Sequence, residues 1–398
     1  MYKSGTKYLK DILLDKSRKI AYIKIHIMNG RIMRQTSMES SLTVKPAAGG
    51  RNYRMDNIKC ILIFSVVFGH MLELYMGNDP ADRLLYLVIY SFHMPLFAFV
   101  TGIFARYDPA RIRNHMIYPY LVFQTLYLIF ANRVLEKDTD MQYTTPYWIL
   151  WYLLAIIIWN LVLPLVQGEG ASFKKKAIML AGAMAAGVLI GFDTKTGYYL
   201  SFSRVVEFFP YFLMGVYYRQ MKETLCARGI PEIIRKRTAW ERGLARGILT
   251  ALICMFLACF IWILYQNVDD IRSAWLYGSV SYEKGDYTWQ FRVFGMMGAL
   301  AWMAFFLLVM PGKRLPYLSY IGANTMTVYL LHGFVVKYLN KIKLFKRIEH
   351  DGTMAVIFSI LLVMLLSWKP LVQFLKPLFC WKPECFRIQR MIWKRRSC

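Results

Sequence analysis

Acidic residues are scarce in this chain. Asp and Glu number 24 against 50 Lys and Arg, a formal net charge of +26. Cysteine is scarcer still. The seven cysteines, Cys60, Cys226, Cys254, Cys259, Cys380, Cys385 and Cys398, contain no C-x-x-C pair, and several sit inside apolar blocks. That pattern excludes a disulfide framework and a zinc site, so no metal is expected. The first 50 residues are mixed and basic and lack an apolar core of signal-peptide length, which reads as no secretory leader. Internal repeats and low-complexity stretches are also missing.

Apolar sequence is abundant. Hydrophobic residues make up 57% of the chain and aromatics 16%. They come in blocks of roughly 18–22 residues, the length that matches a hydrocarbon core about 30 Å thick. Ten such blocks can be drawn, at about 58–75, 84–104, 115–131, 147–166, 177–192, 203–219, 244–265, 290–310, 317–340 and 353–376. Lipid offers no partner for backbone polar groups, so each block must be a helix. The expected fold class is therefore all-α, a polytopic integral membrane protein with about ten transmembrane helices. Three regions follow: a basic cytoplasmic arm at 1–50, a membrane domain at 51–376 and a basic cytoplasmic tail at 377–398.

The positive charge does not point to nucleic acid, because the basic residues lie between apolar blocks and not on one soluble domain. In a membrane protein the same excess marks cytoplasmic loops and contact with anionic lipids. Arg106, Arg111 and Arg113, then Lys174 to Lys176, then Arg228, Arg235, Lys236, Arg237 and Arg242 alternate with acidic loops around Asp138, Asp269 and Glu283. The alternation predicts a multi-pass plasma-membrane protein with both termini cytoplasmic. Loop 341–352, with Lys341, Lys343, Lys346 and Arg347, breaks the alternation by falling on the acidic side.

An ionisable residue inside a membrane is costly, and so points to function. Three histidines qualify: His70, His93 and His332. Lys59 lies eleven residues before His70, about 1100° of helical rotation, so both share one face about 16 Å apart along the axis. Asp56 and Glu73 each lie three residues from one end of that stripe, within side-chain reach. Glu73 is placed to orient the His70 imidazole. His93 on the second span falls at a similar depth, and His332 on the ninth falls in the same outer half. The alternative for a lone membrane histidine is a packing hydrogen bond to a neighbouring helix.

At the opposite end of the stripe, Arg106, Arg111, Arg113 and His115 stand at the mouth of the third span, where arginine suits phosphate groups, or else ordinary membrane anchoring. Outside, Trp148, Trp151, Arg204 and Glu207 suit a sugar-binding surface, or else an interfacial aromatic belt.

These residues resemble the acyltransferase 3 family, and within it the branch of fucose 4-O-acetylase-like membrane acetyltransferases. The first span, RNYRMDNIKCILIFSVVFGH, is similar to the family pattern Asp-x-x-Arg/Lys followed by His after ten intervening residues; Asp56, Lys59 and His70 fall on it. SFHMPLFAFVTG, with His93, is similar to the second-span block. WYLLAIIIWN, SRVVEFFPYFLMG and LSYIGANTMTVYLLHGF are similar to later ones, in order across about 51–376. Arg113 matches the first arginine of an Arg-x-x-Arg pair before Pro119, and Met116 stands in place of the second.

The resemblance implies acetyl-CoA as cytoplasmic donor, no metal, and a sugar hydroxyl of a glycan or glycolipid as acceptor. It makes His70 the general base with Glu73 and His93 beside it, or a histidine the transient acyl carrier. Lys59, Asp56, Arg106, Arg111 and Arg113 become donor-binding residues. Trp148, Trp151, Arg204, Glu207 and His332 become acceptor-binding ones. A transporter or flippase of a lipid-linked glycan is the alternative, since buried polar residues among ten spans fit that class too.

Overall fold

The computed structural model describes residues 51–75, 79–168, 170–195, 199–227, 239–344 and 352–381. The expected arm at 1–50, almost all of the tail at 377–398, and Arg228, Arg235, Lys236, Arg237, Lys346 and Arg347 lie outside the described residues. Among the described residues the regular structure is entirely helical, with no strand.

Each expected span corresponds to a helix or a helix pair. The helices are α1 (Tyr53–Tyr75), α2 (Pro80–Phe104), α3 (Tyr118–Arg133), α4 (Trp151–Val166), α5 (Phe173–Leu189), α6 (Phe202–Ala227), α7 (Ala239–Gln266), α8 (Trp289–Val309), α9 (Pro316–Ala323), α10 (Thr325–Lys341), α11 (Gly352–Leu366) and α12 (Lys369–Leu375). Six described helical segments are long and apolar enough to cross a membrane: α1, α2, α4 with its preceding turn, α5, α7 and α8. Counted as one span, α11 and α12 make a seventh, bent by 59°. The chain is thus an all-α polytopic membrane protein. Three of the ten expected spans, 115–131, 203–219 and 317–340, form helices that do not meet that test.

The departures have local causes. The ninth span is not one rod, because Asn324 between α9 and α10 leaves the helical region at φ −118°, ψ 26°. Asn competes with helix formation through its own side-chain hydrogen bonds. The tenth breaks at Trp368, extended at φ −59°, ψ 128°, before Lys369 and Pro370 restart it. The third begins early, at Pro109, and passes through a π-helical turn, Arg113–Ile117, into α3. Pro119 accounts for the turn. Its ring clashes with the carbonyl four residues back, that of His115, and it has no N–H to give. Widened turns of this kind bring out side chains that a regular helix would hide.

α1 is the hub, packed against α2, α9, α10 and α11. Small residues permit its close contacts, as is usual between helices in lipid. Gly322 of α9 sits against the Asp56 backbone carbonyl, where a Cβ would collide. Gly102 of α2 and Gly215 of α6 meet in the same way, each against the other helix's backbone. Asn57 of α1 ties down the segment after α8. Its Nδ2 donates to the carbonyls of Pro311 and Lys313, both at 3.1 Å, and its Oδ1 accepts from Ser319 Oγ at 2.7 Å. α5 and α7 take little part in the core and turn apolar side chains outward, as lipid-facing helices do.

Candidate active site

His70 and Glu73 face inward from the end of α1. Three donors converge on Glu73 Oε1: Tyr90 OH at 2.7 Å, Tyr86 OH at 2.9 Å and the His70 Nδ1 at 3.4 Å. Each tyrosine has one hydroxyl hydrogen to give. With Tyr86 donating to Glu73, Tyr277 OH donates to the Tyr86 oxygen at 2.7 Å. A Glu73 carboxylate accepts only, so Nδ1 of His70 carries a hydrogen, and in the neutral ring Nε2 is the acceptor. Two further aromatic rings lie against it, one tilted and one stacked. Trp148 lies with its ring centroid 4.6 Å away and His332 stacks at 5.5 Å, inclined by 20°.

Trp148 holds this place at φ +40°, a conformation that a bulky residue seldom adopts. Such strain costs about 1–3 kcal/mol, persists only where packing imposes it, and concentrates at functional sites. Lys337 Nζ lies 3.9 Å from the centroid of the Trp148 ring, a cation–π contact.

His93 and His332 are both buried, at 3% and 0% exposure. Each places Nδ1 on the carbonyl one turn back, Ile89 at 2.8 Å and Val328 at 3.0 Å. A carbonyl only accepts, so in each ring Nε2 is left as the acceptor. The His332 Nε2 has no partner within the described structure.

These groups border a cavity of about 280 Å³ lined by His70, Glu73, Tyr90, His93, Trp148, Trp151, Arg204 and Tyr277 among others. Arg204 lies 5.1 Å over the Trp151 ring and donates to the Tyr277 carbonyl at 3.0 Å and to Ser279 Oγ at 3.1 Å. It thereby anchors the loop that carries Tyr277.

A second cavity, of about 320 Å³, runs along the other half of α1. Lys59, Arg111 and His115 border it, and most of the remaining wall is apolar: Ile63, Phe97, Val100, Phe104, Met116, Ile156 and Met326. Lys59 pairs with Asp56 at 2.8 Å. An open surface recess of about 550 Å³, bordered by Asp108, Arg111, Asn114 and His115, adjoins the cavity at Arg111 and His115. Four side chains, Val66, Met94, Tyr152 and Tyr329, line both cavities and form the neck between them.

A family model described as an acyltransferase domain matches residues 52–370. The chain belongs to the acyltransferase 3 family. It is a membrane acyltransferase, and the match takes in both cavities and every residue named at them. No curated protein and no solved structure matches it significantly.

The candidates drawn from sequence divide by position. His70, Glu73, His93, Trp148, Trp151 and Arg204 border the outer cavity, with His332 stacked behind His70. Lys59 and Arg111 border the inner one, and Asp56 holds Lys59. Arg106 and Arg113 are exposed and line neither; Arg113 donates to Asn114 Oδ1 at 3.0 Å. Glu207 is turned away from the outer cavity onto Arg292, at 3.2 Å. That buried pair braces the loop before α8, where Arg292 also reaches the Val280 carbonyl and the Tyr287 hydroxyl.

Sequence reasoning missed Tyr86, Tyr90, Tyr277 and Lys337, whereas His115, named with the arginines at the mouth of the third span, does border the inner cavity. A signal existed for Tyr86 and Tyr90, which precede His93 by seven and three residues on one helix face. Tyr277 arrives from a loop remote in sequence and left none.

Proposed function

We propose that the protein moves an acetyl group from cytoplasmic acetyl-CoA to a sugar hydroxyl of an exported or cell-surface glycan at the plasma membrane. The observation that carries this reading is the pair of cavities meeting at a shared neck, cationic and apolar at one end and histidine-bearing at the other. The phosphates of CoA meet Lys59 and Arg111, with the nucleotide in the recess beside His115. Arginine suits this role because its planar fork pairs with phosphate. The thin pantetheine arm lies in the apolar cavity and brings the thioester to the neck. The Lys59 to His70 separation, about 16 Å along α1, is of the order of that arm's length. The basic loops around Arg106 and Lys174 support a cytoplasmic position for this end.

In the outer cavity the acceptor sugar stacks on Trp151, with Arg204 and His93 orienting its hydroxyls, while His332, buried behind His70, supports that ring and does not reach the acceptor. His70 Nε2 takes the proton from the attacking hydroxyl while Glu73 holds Nδ1–H. The oxygen adds to the thioester carbonyl, the C–S bond then breaks, and the sulfur takes the proton back from His70. An acetyl ester and CoA thiol result, with no metal in any step. Family membership favours this chemistry over glycan transport.

The test is transfer of label from radioactive acetyl-CoA to glycan in membranes containing the protein. Label is expected with the wild type and is lost in His70→Ala. Label persisting at full rate in His70→Ala removes the catalytic assignment. Absence of any label with the wild type removes the donor.

A further inference from the structure

Asn160 is an unusual residue for the wall of an apolar cavity. It sits on α4, is 1% exposed, and borders the inner cavity between Ile156 and the end of the helix. Its Nδ2 donates to the Ile156 carbonyl at 2.9 Å, which fixes the amide plane. Its Oδ1 has no partner within the described structure. A buried acceptor of this kind is costly, and native interiors almost always satisfy it. An Ala or Leu would fill the position among the surrounding apolar residues.

A complementary feature lies nearer the neck. Thr101 Oγ1 and Tyr152 OH are 2.8 Å apart, so one hydrogen is shared between them and one hydroxyl hydrogen is left over. Both residues line the same cavity. Tyr152 precedes Asn160 by eight residues on one helix, about 12 Å along its axis. One unpartnered acceptor and one spare donor thus belong to residues that border this mostly apolar cavity. A plain hydrocarbon chain satisfies neither. A chain carrying secondary amides, each with one N–H and one C=O, satisfies both.

We infer that Asn160 Oδ1 accepts an amide N–H of the pantetheine arm, and that the Thr101–Tyr152 pair donates to an amide carbonyl of the same arm. The inference rests on the acetyl-CoA reading above and deepens it. Asn160 is here a specificity-determining residue: it makes the inner cavity a site for pantetheine thioesters and not for simple acyl chains or lipid tails.

Binding to purified protein in detergent, by calorimetry, tests this without knowing the acceptor. Three probes are used: CoA, pantetheine, and a thiol of the same length in which methylenes replace both amides. Asn160→Leu and Asn160→Ala are each expected to weaken CoA and pantetheine about tenfold and to leave the amide-free thiol within twofold of the wild type. Arg111→Ala is expected to weaken CoA and spare pantetheine. Unchanged binding of the amide-free thiol also reports an intact cavity, so loss by misfolding is distinguished. If the Asn160 variants bind CoA and pantetheine as the wild type does, or lose all three probes together, the inference is overturned while the donor assignment stands. If the wild type binds neither CoA nor pantetheine, the donor assignment falls and takes this inference with it.

Discussion

The two cavities are of similar size and lie end to end along one helix, yet they are built from opposite materials. The outer one converges hydrogen-bonding side chains on a single histidine: Glu73, Tyr86, Tyr90 and Tyr277 in a connected chain, with Trp148 and His332 against the ring. The inner one has cations at its mouth, few polar groups inside and an apolar wall. The outer site is organised to hold one ring, that of His70, in place through its Nδ1 side. The inner site is organised to admit a chain. Precision at one end and permissiveness at the other is what transfer between a threaded donor and a positioned acceptor requires.

The largest test of that contrast is at His70. His70→Ala and His70→Gln are both expected to lower the transfer rate by about 10²–10⁴, the usual contribution of a general base. CoA affinity is expected to stay within twofold, because the donor is held from the other cavity. The Gln variant preserves size and hydrogen bonding, so an active His70→Gln protein reduces the histidine to a packing role.

Next comes the neck. Val66 is buried and borders both cavities. Val66→Phe puts a ring where the thioester must pass. A displacement of about 1 Å at reacting atoms can cost 10²-fold, and a loss of that order in rate is expected. Pantetheine and CoA still bind from the inner side, but hydrolysis or transfer of acetyl is blocked. Unimpaired transfer in Val66→Phe breaks the comparison outright, since the cavities then do not work as one passage.

The contrast between the cavities also explains what was legible in the sequence. Spans and the Lys59–His70 stripe could be read because both depend on one helix and its 3.6-residue period. Glu73 was legible for the same reason, three residues from His70. The ring of partners around His70 was not, because Tyr277 and Lys337 come from a loop and from α10 by tertiary packing alone. Arg204 and Glu207 show the difference sharply. They are three residues apart on α6 and looked like one acceptor-binding pair. Arg204 faces Trp151 and the cavity, whereas Glu207 faces Arg292. Sequence places both on one helix but does not reveal that a second cation, from α8, captures one of them. The π-helical turn was hidden as well, although Pro119 announces a disturbance there. Its effect is to expose His115 beside Arg111 at the inner cavity.

A smaller effect is expected at the inner mouth. Lys59→Met removes the ammonium group and with it the 2.8 Å ion pair to Asp56. Hydrogen bonds to charged groups contribute about 1.5–3 kcal/mol, so KM for acetyl-CoA should rise by about ten- to a hundredfold. The maximal rate should change little. A fall in rate at unchanged KM would move Lys59 from donor binding to the chemistry and blur the division of labour between the cavities.

The smallest effect separates two arginines that looked equivalent in the sequence. Arg111 borders both the inner cavity and the adjoining recess. Arg106, five residues earlier, is exposed and lines neither. Arg111→Ala should raise KM for acetyl-CoA severalfold and weaken CoA in direct binding. Arg106→Ala should change either quantity by less than about twofold, because a solvated surface charge at a distance is screened by salt. Raising the ionic strength sharpens the distinction: the small Arg106 effect should vanish, while that of Arg111, in contact with phosphate, should persist in part. If the two variants behave alike, donor phosphates are attracted by the general positive field of this face and not by a site at the inner cavity's mouth.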